Sequence, residues 1–344
     1  MQSTTIAVDL AKNVFQVAVS RHPGKVAESH RLSRTKFLRF FAQRQPALVL
    51  LEACGTAHFW ARQLQELGHR VLLLPPHAVR PYVSRNKTDQ ADAKALLEAH
   101  RNEEINPVPV KSVGQQTLAA LHRLRSTWIA DRTARINLVR GVLRELGHPI
   151  PAGARHVIPQ AWALLESADS ELPDPLRLVL AEACLEIRDF EARARIIEKQ
   201  LKLLAAQTPA VQRLCSIPGV GLLTATALVA FVGDVVRFGT CRQFASYLGL
   251  TPRERSSGQS RRLGRISKRG DSYLRMLLIH GARAVLWAAK RLKKPDRLRA
   301  WALHVERLRG HNRAAVALAD KMARIAWAVW RGETVYTSRP LAAE

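Results

Sequence analysis

Thr5-Ile-Ala-Val-Asp9 and Ala47-Leu-Val-Leu-Leu-Glu52 decide the reading of this chain. Each is a short apolar run closed by a carboxylate, the pattern of a buried strand whose last side chain reaches the end of the sheet. A second pair of acids opens the helical stretch Asp89-Gln-Ala-Asp-Ala-Lys-Ala-Leu-Leu-Glu98. Their spacing of three puts Asp89 and Asp92 on one helix face. Carboxylates gather near a core only when something offsets their repulsion. Divalent cations do so, and hard oxygen ligands suit Mg²⁺ or Mn²⁺. Two such ions about 4 Å apart clamp both the attacking and the leaving oxygen of a phosphoryl transfer. The plainer alternative is four unrelated surface acids, two of them helix N-terminal charges favoured by the dipole. Asp9 and Glu52 weigh against it, because both end apolar strands, where ligands of open α/β sheets bind. Lys12 and Lys87 lie close in sequence to two of the acids and are candidates to screen them or to hold a scissile phosphate.

Around these runs the first 108 residues alternate strand and helix signals. Thr4–Leu10, Phe15–Ser20 and Val26–Leu32, with turns near Lys12-Asn13 and His22-Pro-Gly24, predict an antiparallel meander. A helix over Thr35–Arg44, the strand Ala47–Glu52, a helix over Ala57–Leu67 and a strand Val71–Pro75 follow. Three hairpinned strands and then alternating helices and strands is the order of a ribonuclease-H-like α/β fold. In that order the first and fourth strands lie side by side, so Asp9 and Glu52 become neighbours although far apart in sequence.

Residues 109–206 read as a helical middle region. Leu118, Leu121, Trp128, Ile136, Val139, Leu143 and Leu146 recur at helical spacing until His148-Pro-Ile-Pro151. After a Pro/Gly-bearing connection, Leu176, Leu180, Ala183, Ile187, Phe190, Ala194, Ile197, Leu201 and Leu204 keep alternating steps of four and three, a heptad seam. It serves either a coiled coil between chains or an antiparallel hairpin packed on the preceding helix of the same chain. Residues 207–344 form a third, mostly helical unit. Ser216-Ile-Pro-Gly-Val-Gly221 resembles a helix-hairpin-helix turn, in which Gly219 and Gly221 free backbone N–H groups for a DNA phosphate. A loop from Thr251 to Gly270 holds Arg253, Arg255, Arg261, Arg262, Arg265, Lys268 and Arg269 against a single acid, Glu254. Helices around Asp271–Ala289 and Ala314–Trp330, joined by a basic link (Lys290–Arg299), close the unit. Trp287, Trp301, Trp327 and Trp330 lie on helical faces and read as core rather than as base-stacking platforms. The fold class expected is therefore α/β followed by all-α.

Lys plus Arg number 54 against 28 Asp plus Glu, a formal charge of +26 over 344 residues. The excess runs through segments with helical periodicity, so a disordered basic tail does not explain it. A basic, folded, multi-domain chain is most simply a nucleic-acid binder. Cys54, Cys184, Cys215 and Cys241 form no Cys-x-x-Cys pair and, with the histidines, no zinc-like spacing. The chain opens directly on a strand and has no apolar run long enough to span a membrane. The expectation is a soluble, cytoplasmic or nucleoid-associated protein with no membrane partner.

Ser256-Ser257-Gly258 offers a hydroxyl amid arginines, able either to attack a phosphodiester or merely to bind phosphate. Five ordered motifs bear on that choice: Val8-Asp9-Leu-Ala-Lys12, Leu51-Glu52-Ala-Cys-Gly-Thr56, Arg85-Asn-Lys-Thr-Asp89-Gln-Ala-Asp92-Ala, Ile217-Pro-Gly-Val-Gly221 and Leu248-Gly-Leu-Thr-Pro252. Together they resemble the DEDD insertion-sequence transposases, a family that includes Piv-type DNA invertases, over essentially the whole chain. The resemblance implies a RuvC-like N-terminal domain with Mg²⁺ held by Asp9, Glu52, Asp89 and Asp92, a coiled-coil middle and a C-terminal transposase domain with a nucleophilic serine. Ser257, immediately before a glycine, corresponds to that serine; Ser256 and, more weakly, Ser260 are its rivals. Further implied are double-stranded donor and target DNA, a structured noncoding guide RNA (a bridge or seeker RNA), and a homodimer or homotetramer in which one subunit's acids face another's serine. The alternative function is a Holliday-junction-resolvase-like nuclease in which the same acids activate water. A sugar kinase of related fold would need nucleotide-binding glycine loops in two such domains, and a scaffold without catalysis would show no metal-dependent cleavage.

Overall fold

The computed structural model describes residues 4–23, 25–83 and 89–338, leaving aside the side chains of Asp89 and Gln90. The chain divides into two compact units, residues 1–114 and 115–344.

The first unit is built on strands β1 (Thr5–Leu10), β2 (Val14–Ser20) and β3 (Glu28–Ser33), helix α1 (Arg34–Ala42), strand β4 (Leu48–Glu52), helix α2 (Ala57–Glu66), strand β5 (Arg70–Leu74), a single turn α3 (Pro76–Val79) and helix α4 (Asp89–His100). The sheet order is β3-β2-β1-β4-β5. β1 runs antiparallel to β2 and parallel to β4, which is parallel to β5. The expected adjacency of the first and fourth strands is therefore present.

Alternation along each strand divides the core in two. Ile6, Val8, Phe15, Val17, Val49 and Leu51 pack with Phe37, Phe41, Trp60 and Leu64 of α1 and α2. There Phe15, Phe37 and Trp60 meet edge to face at 4.7–5.2 Å. On the other face Ala7, Ala18, Leu50 and Leu74 pack with Ala93, Ala95, Leu96, Leu97 and Ala99 of α4. Alanines on both sides of this contact let α4 lie close over β1 and β2.

The second unit comprises α5 (Val113–Glu145, beginning at the boundary), α6 (Val157–Glu166), α7 (Asp174–Ala206), α8 (Pro209–Cys215), α9 (Leu222–Val232), α10 (Cys241–Tyr247), a hairpin of β6 (Pro252–Glu254) and β7 (Leu263–Ile266), α11 (Ser272–Ala289), α12 (Arg297–Arg309) and α13 (His311–Arg331). α5 and α7 form an antiparallel pair stitched by Arg125–Glu198 and Arg132–Glu191, each 2.6 Å, and by Arg135–Glu186. The partners' numbers rise on one helix as they fall on the other. Leu180, Ile187, Ala194, Ile197 and Leu201 of the heptad seam are buried within this one chain. One end of the seam packs on Ile136, Val139, Leu143 and α6. Its other end, with Leu118 and Ala119, joins the core formed by α8 to α13. The middle and C-terminal segments, read separately from sequence, thus share a core.

Several details differ from the sequence reading. The connection after Pro151 contains a helix, α6, whose end is held by Arg177: its guanidinium donates to the carbonyls of Leu165 (2.9 Å), Ser167 (3.1 Å) and Ser170 (2.7 Å). The basic link beyond Lys290 becomes helical at Arg297, because Asp296 caps α12 by accepting from Arg299 N–H at 2.8 Å. Trp301, Trp327 and Trp330 pack on the core as expected. Trp287 does not: it is 59 % exposed. Among the described residues no helix is long and apolar enough to cross a membrane.

Candidate active site: strand-end acids and a serine hairpin

Register places the first two acids. Val8 stands opposite Leu51 across the parallel β1–β4 pair, so Asp9 and Glu52 are the next residues on neighbouring strands. Asp9 shares the strand face of Ala7, and Glu52 that of Leu50, because alternate side chains point the same way. That face is the one α4 covers. Both acids are partly exposed, as is Asp92 one turn into α4. Asp89 begins α4; its side chain, like the whole of Lys87, lies outside the described residues. Lys12 is exposed in the turn after β1. The structure thus brings Asp9 and Glu52 to one sheet end and sets Asp92 on the helix over the same face. Among the described residues no three His, Cys, Asp or Glu side chains come close enough to hold a metal ion. The donor set itself, carboxylate oxygens alone, is of the kind that hard divalent cations take.

In the second unit the Arg-rich loop is a β-hairpin, which the sequence reading did not foresee. Arg255 N–H donates to Arg262 carbonyl at 2.9 Å, and Ser257 and Ser260 exchange backbone hydrogen bonds at 3.1–3.2 Å around Gly258, whose φ is +56°. The base of the hairpin is locked by two glycines. A Cβ on Gly270 would lie 2.1 Å from the Tyr247 carbonyl oxygen, and one on Gly249, at φ +71°, 2.8 Å from Gly270 N. Arg275 fastens the same point by donating to the carbonyls of Gly270 (3.0 Å) and Leu248 (3.3 Å).

The three serines of the tip stand differently. The Ser256 hydroxyl donates to Glu254 Oε1 at 2.7 Å and accepts from Arg262 N–H at 3.2 Å. Ser257 and Ser260 hold the turn by their backbones. Arg253, Arg255, Arg261, Arg262, Arg265, Lys268 and Arg269 are all exposed. Of these cations, Arg261 meets Glu254 at 3.3 Å, and Arg253 donates to Ser267 carbonyl at 3.1 Å. The hairpin is a cationic arm carrying hydroxyls at its tip, a surface suited to a polyanion.

The Pro-Gly-Val-Gly turn divides its glycines between two tasks. Gly219 (φ +83°) is pressed against α11: an added Cβ would meet Gly281 carbonyl oxygen at 2.7 Å and Met322 Cε at 2.8 Å. Gly221, the N-terminal cap of α9, has open space around it. Packing therefore accounts for Gly219, while Gly221 is exposed and not held by packing.

Comparison with known proteins fits this arrangement. A DEDD transposase family model, described as a transposase, matches residues 6–148, and that of the transposase IS116/IS110/IS902 family matches residues 211–297. A probable family 20 transposase of Pseudomonas aeruginosa is 44% identical over 98% of this chain and 99% of its own length. The transposase for insertion sequence element IS1111A of Coxiella burnetii is 38% identical over 96% of this chain and 90% of its own. That for IS1328 of Yersinia enterocolitica is 36% identical over 97% and 98% respectively. With similarity running through both the acid-bearing and the serine-bearing units, the chain belongs to the IS116/IS110/IS902 family of transposases, enzymes that cleave and recombine DNA.

Proposed function

We propose that this transposase cuts and exchanges double-stranded DNA through a serine–DNA ester, guided by a structured noncoding RNA. The first unit serves in this reading as a ribonuclease-H-like, RuvC-like catalytic domain. The observation that carries the reading is the register of β1 on β4, which ends both strands in a carboxylate on the face covered by the helix that starts Asp89-Gln-Ala-Asp92. Asp9, Glu52, Asp89 and Asp92 would hold Mg²⁺, which when bound supplies charge for the scissile phosphate. The Ser257 hydroxyl attacks phosphorus, its Oγ–P bond forming as a sugar oxygen–P bond breaks, and the released sugar oxygen takes up a proton. The reverse reaction with a different strand's hydroxyl seals the exchange, so the energy of the phosphodiester is kept in the ester. Ser256, tied to Glu254, braces the turn that presents Ser257. The exposed arginines of the hairpin hold the DNA backbone, and the formal charge of +26 suits a protein that carries RNA and DNA together.

The test separates binding from chemistry. Asp9→Asn keeps the shape of the side chain and removes its charge, so DNA binding persists while cleavage is lost. Retained cleavage by Asp9→Asn, or full cleavage by the parent protein after chelation of divalent ions, contradicts the proposal.

A further inference from the structure

Trp287 is the tryptophan that the core does not explain. It is 59 % exposed on α11, whose inward face is already complete with Leu274, Leu278, Ala282, Val285, Leu286 and Ala289. Its ring is left at the surface, where an aromatic face is free to stack on a partner. Arg291 lies over the ring, its guanidinium carbon 3.6 Å from the centroid. Further exposed cations lie near the pair in sequence. Exposed Arg283 sits one turn before Trp287 and meets the neutral Asn312 at 3.2 Å, so its charge is not offset. Lys293 and Lys294 follow Arg291 and are also exposed. Lys290 is paired with Glu306 at 2.9 Å. α11 starts directly after the Arg-rich hairpin, and Trp287 lies roughly 22 Å along its axis at 1.5 Å per residue.

We infer that Trp287 and Arg291 form a stacking platform for one base of an unpaired nucleic-acid strand that runs from the hairpin along the outer face of α11. The ring and the guanidinium supply flat π surfaces, and the flanking cations track the phosphates on either side. A duplex covers its base faces and has nothing to offer the ring, whereas a displaced or looped strand does. A protein partner is less suited, because Arg291 lies over the ring and the exposed Arg283, Lys293 and Lys294 outnumber the one large exposed apolar residue near it in sequence, Leu292. The inference rests on the reading of this unit as one that handles nucleic acid, but not on which serine reacts.

The experiment measures binding of the full-length protein to a fluorescein-labelled oligothymidylate and to a duplex of equal length. Trp287→Ala is expected to weaken single-strand binding about five- to a hundredfold, with duplex binding changed by less than about twofold and Trp287→Phe retaining most of the affinity. Its melting temperature stays that of the parent, since the side chain packs on no core. Equal losses on both DNAs, or no loss on either, overturn the inference while leaving the transposase reading intact. Binding of neither DNA by the parent protein overturns the inference together with the reading of this unit as one that handles nucleic acid.

Discussion

Gly219→Ala tests how the second unit is held together. A Cβ there would stand 2.7 Å from Gly281 carbonyl oxygen and 2.8 Å from both Met322 Cε and Val285 Cγ2. Met322 and Val285 can yield by rotation; the Gly281 carbonyl belongs to the middle of α11 and yields only if that helix moves away. The residue also keeps φ near +83°, which costs a non-glycine residue roughly 1–2 kcal/mol. Forcing a methyl into a filled contact adds about 1–3 kcal/mol. The sum, roughly 2–5 kcal/mol, lowers the melting temperature of a unit of this size by about 4–20 °C. Gly221→Ala is the control: its φ is −89° and nothing lies within 4 Å, so the change stays within about 1 kcal/mol. Thermal unfolding followed by circular dichroism reads both variants. A Gly219→Ala protein that melts within a degree or two of the parent would refute the close-packing account of this turn and return Gly219 to a role at the surface.

Other consequences follow from the same geometry. Ile187→Ala, in the buried seam of α7, should cost about 2–5 kcal/mol, independent of protein concentration because its partners belong to the same chain; a loss that disappears at high concentration would instead mark a contact between chains. His122 is buried, with Nε2 2.9 Å from Thr226 Oγ1 and Nδ1 3.0 Å from Tyr273 Oη, and burial lowers its pKa to about 4. The Thr226 hydroxyl donates to the Leu222 carbonyl, so it accepts from Nε2–H, and the lowered pKa leaves His122 neutral near pH 7. The unfolded chain then binds the extra proton first, so this contribution to stability is complete above about pH 6.5 and is lost as pH falls towards 4. Denaturant titrations across that range should show the slope, and His122→Gln should flatten it. If acids and serine act from different subunits, mixing inactive Asp9→Asn with inactive Ser257→Ala should restore DNA cleavage; a mixture as inactive as its components would place both groups in one subunit.

Much of the first unit is legible in its sequence because burial alternates cleanly there. Apolar runs closed by Asp9 and Glu52 mark strands that end together, and the short turns between the first three strands leave the fourth to pair with β1. Asp92 is legible as a helix-face residue, yet its distance from the strand-end acids depends on the chain between β5 and α4, which no local pattern specifies. The serine hairpin reads as a loop in sequence because β6 and β7 expose nearly every residue and show no apolar alternation. Its order comes from ladder hydrogen bonds and the Gly249–Gly270 contact, which are not written in periodicity. α12 reads partly as a link because its buried residues are Leu298 and Ala302 amid arginines. The exposure of Trp287 is itself written in the helical spacing. Leu274, Leu278, Ala282, Val285 and Ala289 already complete one helical face, and Trp287 falls two residues beyond Val285, on the opposite side. The seam of α7 allowed both pairing modes until Arg125, Arg132 and Arg135 were seen to meet Glu198, Glu191 and Glu186 in reverse order.

The most direct test of the account is to incubate the purified protein with its RNA, a donor–target DNA pair and Mg²⁺, and to resolve the products on a denaturing gel. The account predicts a protein–DNA adduct that Ser257→Ala abolishes and Ser256→Ala only reduces. DNA cleavage without any adduct would contradict it and point to water activated at the acids as the nucleophile.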